Sequence, residues 1–305
     1  MISESWRHSE ALMNTYRVMF NITAHDPLSR VDPLLEVLRG YDKIPAATKD
    51  VFIFIDHEHA NDKQILLDLL RPNLKTLYLQ VIVAGPEYQG FALCWSHKQI
   101  LKLAIETKAY DIYMYSENDM VFTKEHYTYW LTYRQFLKPL NLEPGFCRYE
   151  KYDEKCVPFD NYRKWSLSGA TKDVWGDRPY RVKTFLTPTI DFVGFVSLGN
   201  PYMGLMVLDQ EMAEIYVKSQ SFDPVASFEL TRHRCWPIAD RSSMGLAFEG
   251  LKADQEHRRV VPIIREGEKL LVAPCGLVKH LDKKYSTRLA DEDGTLMDIS
   301  EMLVV

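Results

Sequence analysis

The sequence predicts an α/β fold in which a mostly parallel central sheet is flanked by helices. Three observations lead to this class. The chain has 305 residues, of which 46% are hydrophobic, and this is enough to bury a large core. Four apolar, β-branched or aromatic runs lie within the first 125 residues, and helix-length amphipathic segments separate them. Strands that alternate with helices in this way are typical of βαβ units, whose strands run parallel.

The elements of the first 125 residues follow one another in a regular order. The second strand is a continuous run of β-branched and aromatic residues, as expected of a strand that is buried on both faces. The last helix of the series has Leu101, Ala104 and Ile105 at helical spacing. The predicted strands are residues 16–23, 51–56, 77–85 and 111–116, and the predicted helices are residues 31–39, 62–70 and 96–107.

The pattern changes after residue 125. An aromatic-rich helix is predicted at 126–139, and a polar, loop-rich stretch follows from 144 to 199, with a strand-like piece at 145–150. Further helices are predicted at 209–219 and from Asp240 towards Leu251, where Asp240 or Ser242 would be the N-cap. The residues after Thr287 are expected to form a frayed or docking tail.

Composition excludes several classes of protein. The net charge of −5 does not fit a nucleic-acid partner, because phosphate binding requires a basic surface. The five cysteines are scattered and form no CxxC pair, so neither a zinc finger nor a disulfide framework is expected. No apolar stretch approaches the roughly 20 residues of a transmembrane helix, and the first residues lack the apolar core of a signal peptide. We therefore expect a cytoplasmic protein without a transmembrane segment, for which a peripheral membrane contact stays open.

Three polar residues follow the fourth predicted strand, and we call Glu117, Asn118 and Asp119 the acidic triplet. Open parallel sheets bind ligands at the carboxyl ends of their strands. In extended backbone the two carboxylates point to the same side, with Cα atoms about 6.6 Å apart. Carboxylate oxygens suit Mg²⁺ or Mn²⁺, which commonly bind substrate phosphates. The triplet therefore predicts a metal–diphosphate site, and capping of the next turn is the structural alternative.

The segment Asp111–Thr123 resembles the acid-x-acid segment of GT-A-fold glycosyltransferases. In that family the last acid binds a divalent metal that bridges the diphosphate of a nucleotide-sugar. Residues 93–98 resemble the helix start that lies near the nucleotide-sugar in this family. Residues 200–208 resemble a segment that closes around donor and acceptor. Residues 277–285 resemble a late segment in which a histidine can complete the coordination of the metal. The four segments occur in the family's order and span about residues 14–285.

The resemblance implies a GT-A-like single domain over residues 1–305 with a Rossmann-like sheet. Its nucleotide-sugar-binding half would cover about 14–125, its acceptor-binding half about 126–290, and its tail 291–305. It also implies that Asp119 and His280 bind Mn²⁺ or Mg²⁺. Glu117 would be a further ligand of the metal, directly or through water, or would contact the ribose instead. The first acid of the family's commonest pattern is Asp, and this sequence has Glu117.

The resemblance further implies a glycosyltransferase that uses a nucleotide-sugar, UDP-linked rather than GDP-linked, and a glycan or glycoconjugate acceptor. The expected donor-binding residues are Thr23, His97, Lys98, Glu117, Asn118 and Asp119, with Lys279, Lys283 and Lys284 as further basic candidates. Aromatic faces stack on sugars and glycine allows close approach, which makes Trp165, Tyr202, Trp236 and Gly204 the acceptor-binding candidates.

An inverting transfer, which we favour over retention, needs a carboxylate base. Asp240 is the first candidate, and Glu249 and Asp191 are the next. Ordinary structural roles are the alternative for each of these residues. For Asp240 that role is N-capping, and for His280 it is a surface position after a strand.

Other classes of enzyme lack their motifs in this sequence. GxxxxGK[ST], GxGxxG after the first strand, and GxSxG are all absent, which disfavours a P-loop NTPase, a dinucleotide dehydrogenase and an α/β-hydrolase. Two alternatives stay open. One is a metal-dependent hydrolase that uses Asp56, His57 and His59; the other is a catalytically silent nucleotide-sugar-binding protein.

Overall fold

A computed structural model of the chain describes residues 13–158, 165–166, 170–172, 179–181, 184–185, 189, 191–197, 200–231, 236–253, 255–282, 285–287, 298–301 and 303–304. The helices are α1 (Val31–Asp42), α2 (Lys63–Leu70), α3 (Lys98–Glu106), α4 (Lys124–Leu137), α5 (Gln210–Val217), α6 (Pro224–Thr231) and α7 (Ile238–Ser242). Within these residues, no helix is sufficiently long and apolar to cross a membrane.

The strands are short in the second half of the chain. They are β1 (Arg17–Ala24), β2 (Thr48–Ile55), β3 (Tyr78–Val83), β4 (Ile112–Glu117), β5 (Met120–Val121), β6 (Glu143–Pro144), β7 (Cys147–Tyr152), β8 (Lys155–Pro158), β9 (Trp165–Ser166), β10 (Ala170–Lys172), β11 (Pro179–Arg181), β12 (Thr184–Phe185), β13 (Gly194–Ser197), β14 (Leu205–Asp209), β15 (Arg259–Glu266), β16 (Lys269–Val272), β17 (Leu277–His280) and β18 (Leu303–Val304).

The described residues form two structural units. The sheet unit comprises residues 13–124 and 204–250, and the loop-rich unit comprises the described residues of 125–203 and 251–304. The predicted division near residue 125 coincides with a boundary between the units. Residues 204–250 were expected in the acceptor-binding half, but they belong to the sheet unit together with α5, α6 and α7.

The sheet unit is built on a five-stranded sheet of order β14-β4-β1-β2-β3. The four strands β1 to β4 are parallel, as predicted, and β14 joins the edge of β4 in the antiparallel direction. The mostly parallel α/β class is therefore confirmed. The chain places β2 and β3 on one side of β1 and then returns to place β4 on the other side. The space between the carboxyl ends of β1 and β4 is thus a topological switch point, where open sheets bind ligands.

The core of the sheet unit explains why the strands were predictable from their apolar runs. Every residue from Val18 to Ala24 in β1 is buried, because helices cover both faces of the sheet. On one face Leu101 and Ile105 of α3 and Tyr216 of α5 pack against sheet residues such as Tyr113. Each large apolar side chain buried in this way stabilises the fold by about 1.5–3 kcal/mol.

The loop-rich unit holds smaller sheets and an aromatic core. One sheet has the order β12-β13-β15-β16, with β6 beside β15, and β7 lies between β17 and β8. From α4, Tyr129 and Tyr133 pack on Phe192, at ring-centroid distances of 6.0 and 4.8 Å. The aromatic residues of this helix therefore serve the core. Of the predicted tail, residues 288–297 lie outside the described residues, and β18 pairs in parallel with β9.

The helix predicted from Asp240 towards Leu251 is wrong. The observed α7 ends at Ser242, and turns follow in which Gly245 and Gly250 have φ of +54° and +58°. The N-cap is Pro237, and no side chain caps the helix. Asp240 therefore lies inside the first turn, and N-capping by Asp240 or Ser242 is excluded.

Candidate functional site

The acidic triplet lies at the switch point of the sheet. Thr23 near the end of β1 is the register partner of Glu117 at the end of β4. The backbone N–H of Glu117 donates to the carbonyl of Gly204 at 3.0 Å, just before β14 begins. Three segments that are distant in sequence therefore meet at this edge: the end of β1, the end of β4 and the start of β14.

Gly204 is required by the backbone at this edge. Its φ is +63°, in the left-handed region that favours glycine. A Cβ at this position would lie 2.9 Å from Met120 Cγ and 3.4 Å from Glu117 Oε2. The residue predicted to approach the acceptor therefore lies directly against the Glu117 carboxylate, and a larger residue would press on it.

Asp119 forms an ion pair with Arg30, a residue that the sequence analysis missed. Arg30 Nη2 lies 2.9 Å from Asp119 Oδ2, and the two side chains are 31% and 11% exposed. Arg30 immediately precedes α1, and its carbonyl accepts the first hydrogen bond of that helix from Leu34 at 3.1 Å. Because the pair is only partly exposed, salt screens it less than a surface pair. A basic residue at the start of the helix after β1 is the signal that could have indicated it.

Asn118 contributes a buried amide donor between the two carboxylates. The residue is 7% exposed, and within the described part of the chain no group accepts a hydrogen bond from its Nδ2. Buried donors of this kind are normally satisfied, so the position suits an acceptor such as a phosphate oxygen. Glu117 and Asp119 are the carboxylates that could hold a divalent cation beside it, since hard oxygen ligands are what Mg²⁺ and Mn²⁺ prefer.

A buried polar cluster lies behind the triplet. Thr23 Oγ1 is 2.9 Å from the hydroxyl of Tyr115 and 4.0 Å from the sulfur of Cys94. Burial raises the pKa of the Cys94 thiol to about 12, and the carboxylates of Glu117 and Asp240 raise this pKa as well. Both carboxylates are therefore within electrostatic range of the same thiol. Asp240, the first candidate base, belongs to the helix whose Ile238 carbonyl accepts a hydrogen bond from Trp95, the residue after Cys94.

The helix that carries Asp240 is anchored at both ends by residues 95–98. Trp95 Nε1 donates to the carbonyl of Ile238 at 2.9 Å, and Lys98 Nζ donates to the carbonyl of Ser242 at 2.9 Å. The Lys98 amino group also contacts the Tyr216 hydroxyl, and burial lowers its pKa well below the ordinary value. Lys98 therefore lies under α7, and its donor-binding role stays a prediction.

The side chain of Tyr115 separates His97 from Thr23, and the donor-binding role of His97 stays a prediction. The His97 ring is fully buried and stacks on Tyr115 with centroids 4.3 Å apart, while Tyr115 contacts Thr23. Burial, with a smaller contribution from the Lys98 charge, lowers the His97 pKa well below its ordinary value. The imidazole is therefore neutral at pH 7 and acts as part of the wall behind Thr23.

The two other candidate bases hold loops in place. Glu249 Oε1 accepts hydrogen bonds from both the backbone N–H and the hydroxyl of Ser221, each at 2.8 Å. Asp191 belongs to the loop-rich unit, and its Oδ2 accepts a hydrogen bond from Tyr133 at 2.5 Å. The catalytic roles of Glu249, Asp191 and Asp240 stay predictions.

The aromatic acceptor candidates have different surroundings. The Tyr202 ring is buried beneath the guanidinium of Arg148, 4.1 Å from the ring centroid, so one of its faces is covered. Trp236 is half-buried and directly precedes the first residues of α7, with its carbonyl accepting from Arg241 Nε at 3.2 Å. Trp165 lies in β9, and its side chain is outside the described residues, as are Lys283 and Lys284. Trp236 is thus the candidate nearest in sequence to Asp240.

His280 ends β17 in the loop-rich unit and pairs with a buried carboxylate. Its Nδ1 lies 2.8 Å from Glu150 Oε1, and the side chains are 3% and 0% exposed. Glu150 Oε2 accepts from the backbone N–H of Ser286 at 2.6 Å. Because a carboxylate only accepts, His280 Nδ1 is the donor in this hydrogen bond. Metal-ligating histidines commonly have such a partner. The surface position considered for His280 is excluded.

The alternative metal cluster at the end of β2 is not assembled. Asp56 contacts His25, His59 Nδ1 lies 2.8 Å from Asp62 Oδ2, and His57 is exposed. The hydrogen bond that His59 donates to the Asp62 carboxylate raises the pKa of His59. Across the described ranges, no group of three or more His, Cys, Asp or Glu side chains is arranged to hold a metal ion. A cation at the acidic triplet would therefore need oxygen ligands from water or substrate as well.

The chain was also compared with known proteins. No family model matches it, and no curated protein matches it. Among solved structures it is similar to the apo form of the bifunctional glycosyltransferase WbbM, at 14% identity and a TM-score of 0.36, over 74% of this chain and 36% of that one. It is also similar to a protein from Entamoeba histolytica assigned as a UDP-N-acetylglucosamine pyrophosphorylase, at 10% identity and a TM-score of 0.36, over 71% of this chain and 64% of that one.

This chain thus spans less than two thirds of the length of either structure. At these TM-scores neither likeness defines what this chain does. The fold and the site therefore define it only as an α/β protein with a polar, acidic edge at a switch point of its sheet.

Proposed function

We propose that this chain is a glycosyltransferase that moves a sugar from a UDP-sugar to a hydroxyl of a glycan or glycoconjugate. One observation carries the proposal: the acidic triplet lies at the switch point between β1 and β4. Nucleotides bind at such points in open α/β sheets. The carboxylates of Glu117 and Asp119 and the buried amide of Asn118 supply the groups that a cation–diphosphate pair needs.

The donor diphosphate binds at the triplet in this proposal. A Mn²⁺ or Mg²⁺ ion held by Asp119 and Glu117 would neutralise the charge that develops on the leaving diphosphate. Asn118 donates to a phosphate oxygen, and Thr23, opposite Glu117, bounds the site on the β1 side. A role of His280 as a further ligand of the cation stays a prediction of the family resemblance.

Asp240 acts as the general base in this proposal. The acceptor hydroxyl gives its proton to the Asp240 carboxylate, and its oxygen forms the new bond to the anomeric carbon of the sugar. The bond from that carbon to the phosphate oxygen breaks, and its electron pair leaves with UDP. Attack opposite to the leaving group inverts the anomeric centre. The contacts from Thr23 to Cys94 and from Trp95 to the helix of Asp240 support this assignment.

A nucleotide-binding experiment tests the donor site. UDP and GDP are added with and without Mn²⁺, and the Tm is measured by differential scanning fluorimetry. A ligand at 100 times its Kd stabilises by about 2.7 kcal/mol, so UDP with Mn²⁺ should raise the Tm by a few degrees. Asp119→Asn should remove this shift, and Asp68→Asn, at an exposed position of α2, should retain it. If no nucleotide, with or without Mn²⁺, changes the Tm of the wild type, the proposal is wrong.

A second experiment separates the enzyme from a silent nucleotide-sugar-binding protein. UDP release is measured with a panel of UDP-sugars and glycan acceptors, together with UDP binding. Asp240→Asn should bind UDP like the wild type and should lose transfer by at least about 100-fold, as expected for general-base catalysis. If the wild type binds UDP but produces no UDP from any UDP-sugar, the chain is a binding protein instead. Full transfer by Asp240→Asn would show that another residue is the base.

A further inference from the structure

We propose that Arg30 is an exchangeable counter-ion: it neutralises Asp119 before the donor binds and pairs with the donor diphosphate once a cation occupies Asp119. This inference rests on the proposed function, because it concerns the same diphosphate site. It assigns a binding role to a residue outside the acidic triplet and predicts that the cation and the nucleotide bind cooperatively.

The first support is the contact itself. Arg30 Nη2 and Asp119 Oδ2 are 2.9 Å apart, so guanidinium and carboxylate are in direct contact. Arg30 belongs to the segment between β1 and α1, and Asp119 to the segment between β4 and β5. Because β1 and β4 are neighbours with Thr23 opposite Glu117, these two segments leave the sheet on the two sides of the switch point. The pair therefore spans the position at which the sheet is expected to bind its ligand.

The second support is the difference between the two partners. Asp119 is on a short connection between two strands and is 11% exposed, whereas Arg30 has a long side chain and is 31% exposed. The arginine is thus the partner that can turn to another anion without movement of the backbone. Its planar guanidinium matches phosphate oxygens in a bidentate geometry that a point charge does not provide.

Electrostatics fix the sign of the coupling. A divalent cation and a guanidinium on one carboxylate repel each other, so Arg30 weakens cation binding while no diphosphate is present. When the diphosphate arrives, it attracts both positive groups, and Arg30 then favours the complex. The cation and the nucleotide therefore raise each other's affinity by the same factor, as linkage requires. The cation and the diphosphate also attract each other directly, so the contribution of Arg30 is the part of the coupling that an Arg30 variant would lose.

The test compares Arg30→Gln with Arg39→Gln. Arg39 lies near the C-terminal end of α1, the helix that Arg30 precedes. Its Nη2 donates to Asn73 Oδ1 at 3.3 Å in an exposed position. The control therefore removes the same charge from the same part of the chain. Free Mn²⁺ is measured by electron paramagnetic resonance in a titration of each protein without nucleotide. UDP binding is measured by calorimetry in saturating Mn²⁺. Circular dichroism verifies that both variants are folded.

We expect Arg30→Gln to bind Mn²⁺ several-fold more tightly without UDP and to bind UDP about tenfold more weakly. Arg39→Gln should resemble the wild type in both titrations. Unchanged or weaker Mn²⁺ binding by Arg30→Gln, in a wild type that binds UDP with Mn²⁺, would overturn the inference and leave the proposed function intact. A wild type that binds no UDP would overturn both, so the two failures are distinguishable.

Discussion

The amino group of Lys98 donates a hydrogen bond to the carbonyl oxygen of Ser242 at 2.9 Å, at the C-terminal end of α7. The indole of Trp95, three residues earlier, donates to the carbonyl of Ile238 at the other end of the same helix, also at 2.9 Å. One segment at the start of α3 thus fixes both ends of the helix that carries Asp240. In the proposed reaction this segment orients the general base.

Replacement of Lys98 by methionine should slow sugar transfer without a loss of UDP binding. Methionine fills the space among Trp95, Tyr216 and Phe222, whose ring centroids lie within 5.6 Å of Lys98 Nζ, but it leaves the Ser242 carbonyl without this donor. The Ser242 carbonyl keeps a 3.4 Å hydrogen bond from the Tyr216 hydroxyl, so the variant loses one buried hydrogen bond at a cost of about 0.5–1.5 kcal/mol. We expect a lower kcat, an unchanged Kd for UDP and a lower free energy of unfolding, measured by steady-state kinetics, calorimetry and urea titration.

Lys102→Met is the matched control for this variant. Lys102 is on the same helix and is exposed, with its Nζ 3.8 Å from Glu106 Oε1. Exposed ion pairs of this kind contribute about 0–1 kcal/mol, so the control should retain both kcat and stability. If Lys98→Met loses UDP affinity as well as kcat, Lys98 contacts the donor, as the resemblance implied.

A methyl group at position 204 should disturb the acidic triplet. Gly204→Ala strains a backbone with φ of +63°, at a cost of about 1–2 kcal/mol. Its Cβ would also lie 2.9 Å from Met120 Cγ and 3.4 Å from Glu117 Oε2, so these side chains must shift. We expect weaker Mn²⁺-dependent UDP binding in addition to lower stability. Gly250→Ala has a similar φ of +58° and nothing within 4 Å of its Cβ, and it should show the stability loss alone. Equal UDP affinity in both variants would contradict this account.

The Glu150–His280 pair should tolerate little change. Both carboxylate oxygens of Glu150 accept hydrogen bonds, from His280 Nδ1 and from the Ser286 N–H. Glutamine has only one accepting oxygen, so Glu150→Gln leaves one buried donor facing an NH₂ group. We expect a loss of about 1–3 kcal/mol, seen as a lower urea midpoint at constant m-value. Glu154→Gln, at an exposed position nearby, is the control and should be neutral. A stable Glu150→Gln protein would show that the pair is not a structural determinant.

The parallel sheet was predictable because its strands are buried on both faces. Such a strand is apolar at every position, so β1, β2 and β4 are visible in the sequence without knowledge of their neighbours. The first and last residues of these strands were harder to predict from the sequence. β2 begins at Thr48 rather than Val51, because the Lys49 amino group binds the carbonyls of Tyr41 and Ile44 and holds the polar start of the strand against the end of α1.

The candidate site was predictable only in part. The acidic triplet follows an apolar strand, and this position is local information. The pairing of Arg30 with Asp119 arises because β4 returns to the side of β1, which no local pattern records. In the same way, Asp240 comes near Cys94 because β14 adds to β4 and brings residues 204–250 into the sheet unit. Lys98 was predicted as a basic donor-binding residue, and its burial under α7 depends on the same return of the chain.

Acid should destabilise the protein through buried histidines, and His126 allows a clean test. Burial lowers the pKa of His126 to about 4, although its Nε2 donates to the Leu277 carbonyl at 2.8 Å. In the unfolded chain this pKa returns to about 6.5. Between these values the unfolded state binds the proton and the folded state does not, so stability falls as the pH decreases from about 6.5 to 4. The contribution of one such histidine is about 1.4 kcal/mol per pH unit.

His126→Gln should make the stability less dependent on pH. The glutamine amide can still donate to the Leu277 carbonyl, and it does not titrate. Urea unfolding at about pH 7 and about pH 5 should show a smaller loss of stability for His126→Gln than for the wild type. His97, whose pKa burial also lowers, keeps part of the acid sensitivity in the variant. His57→Gln removes an exposed histidine and should follow the wild-type curve. If the curves of His126→Gln and the wild type are parallel, protonation of His126 is not what opposes folding in acid.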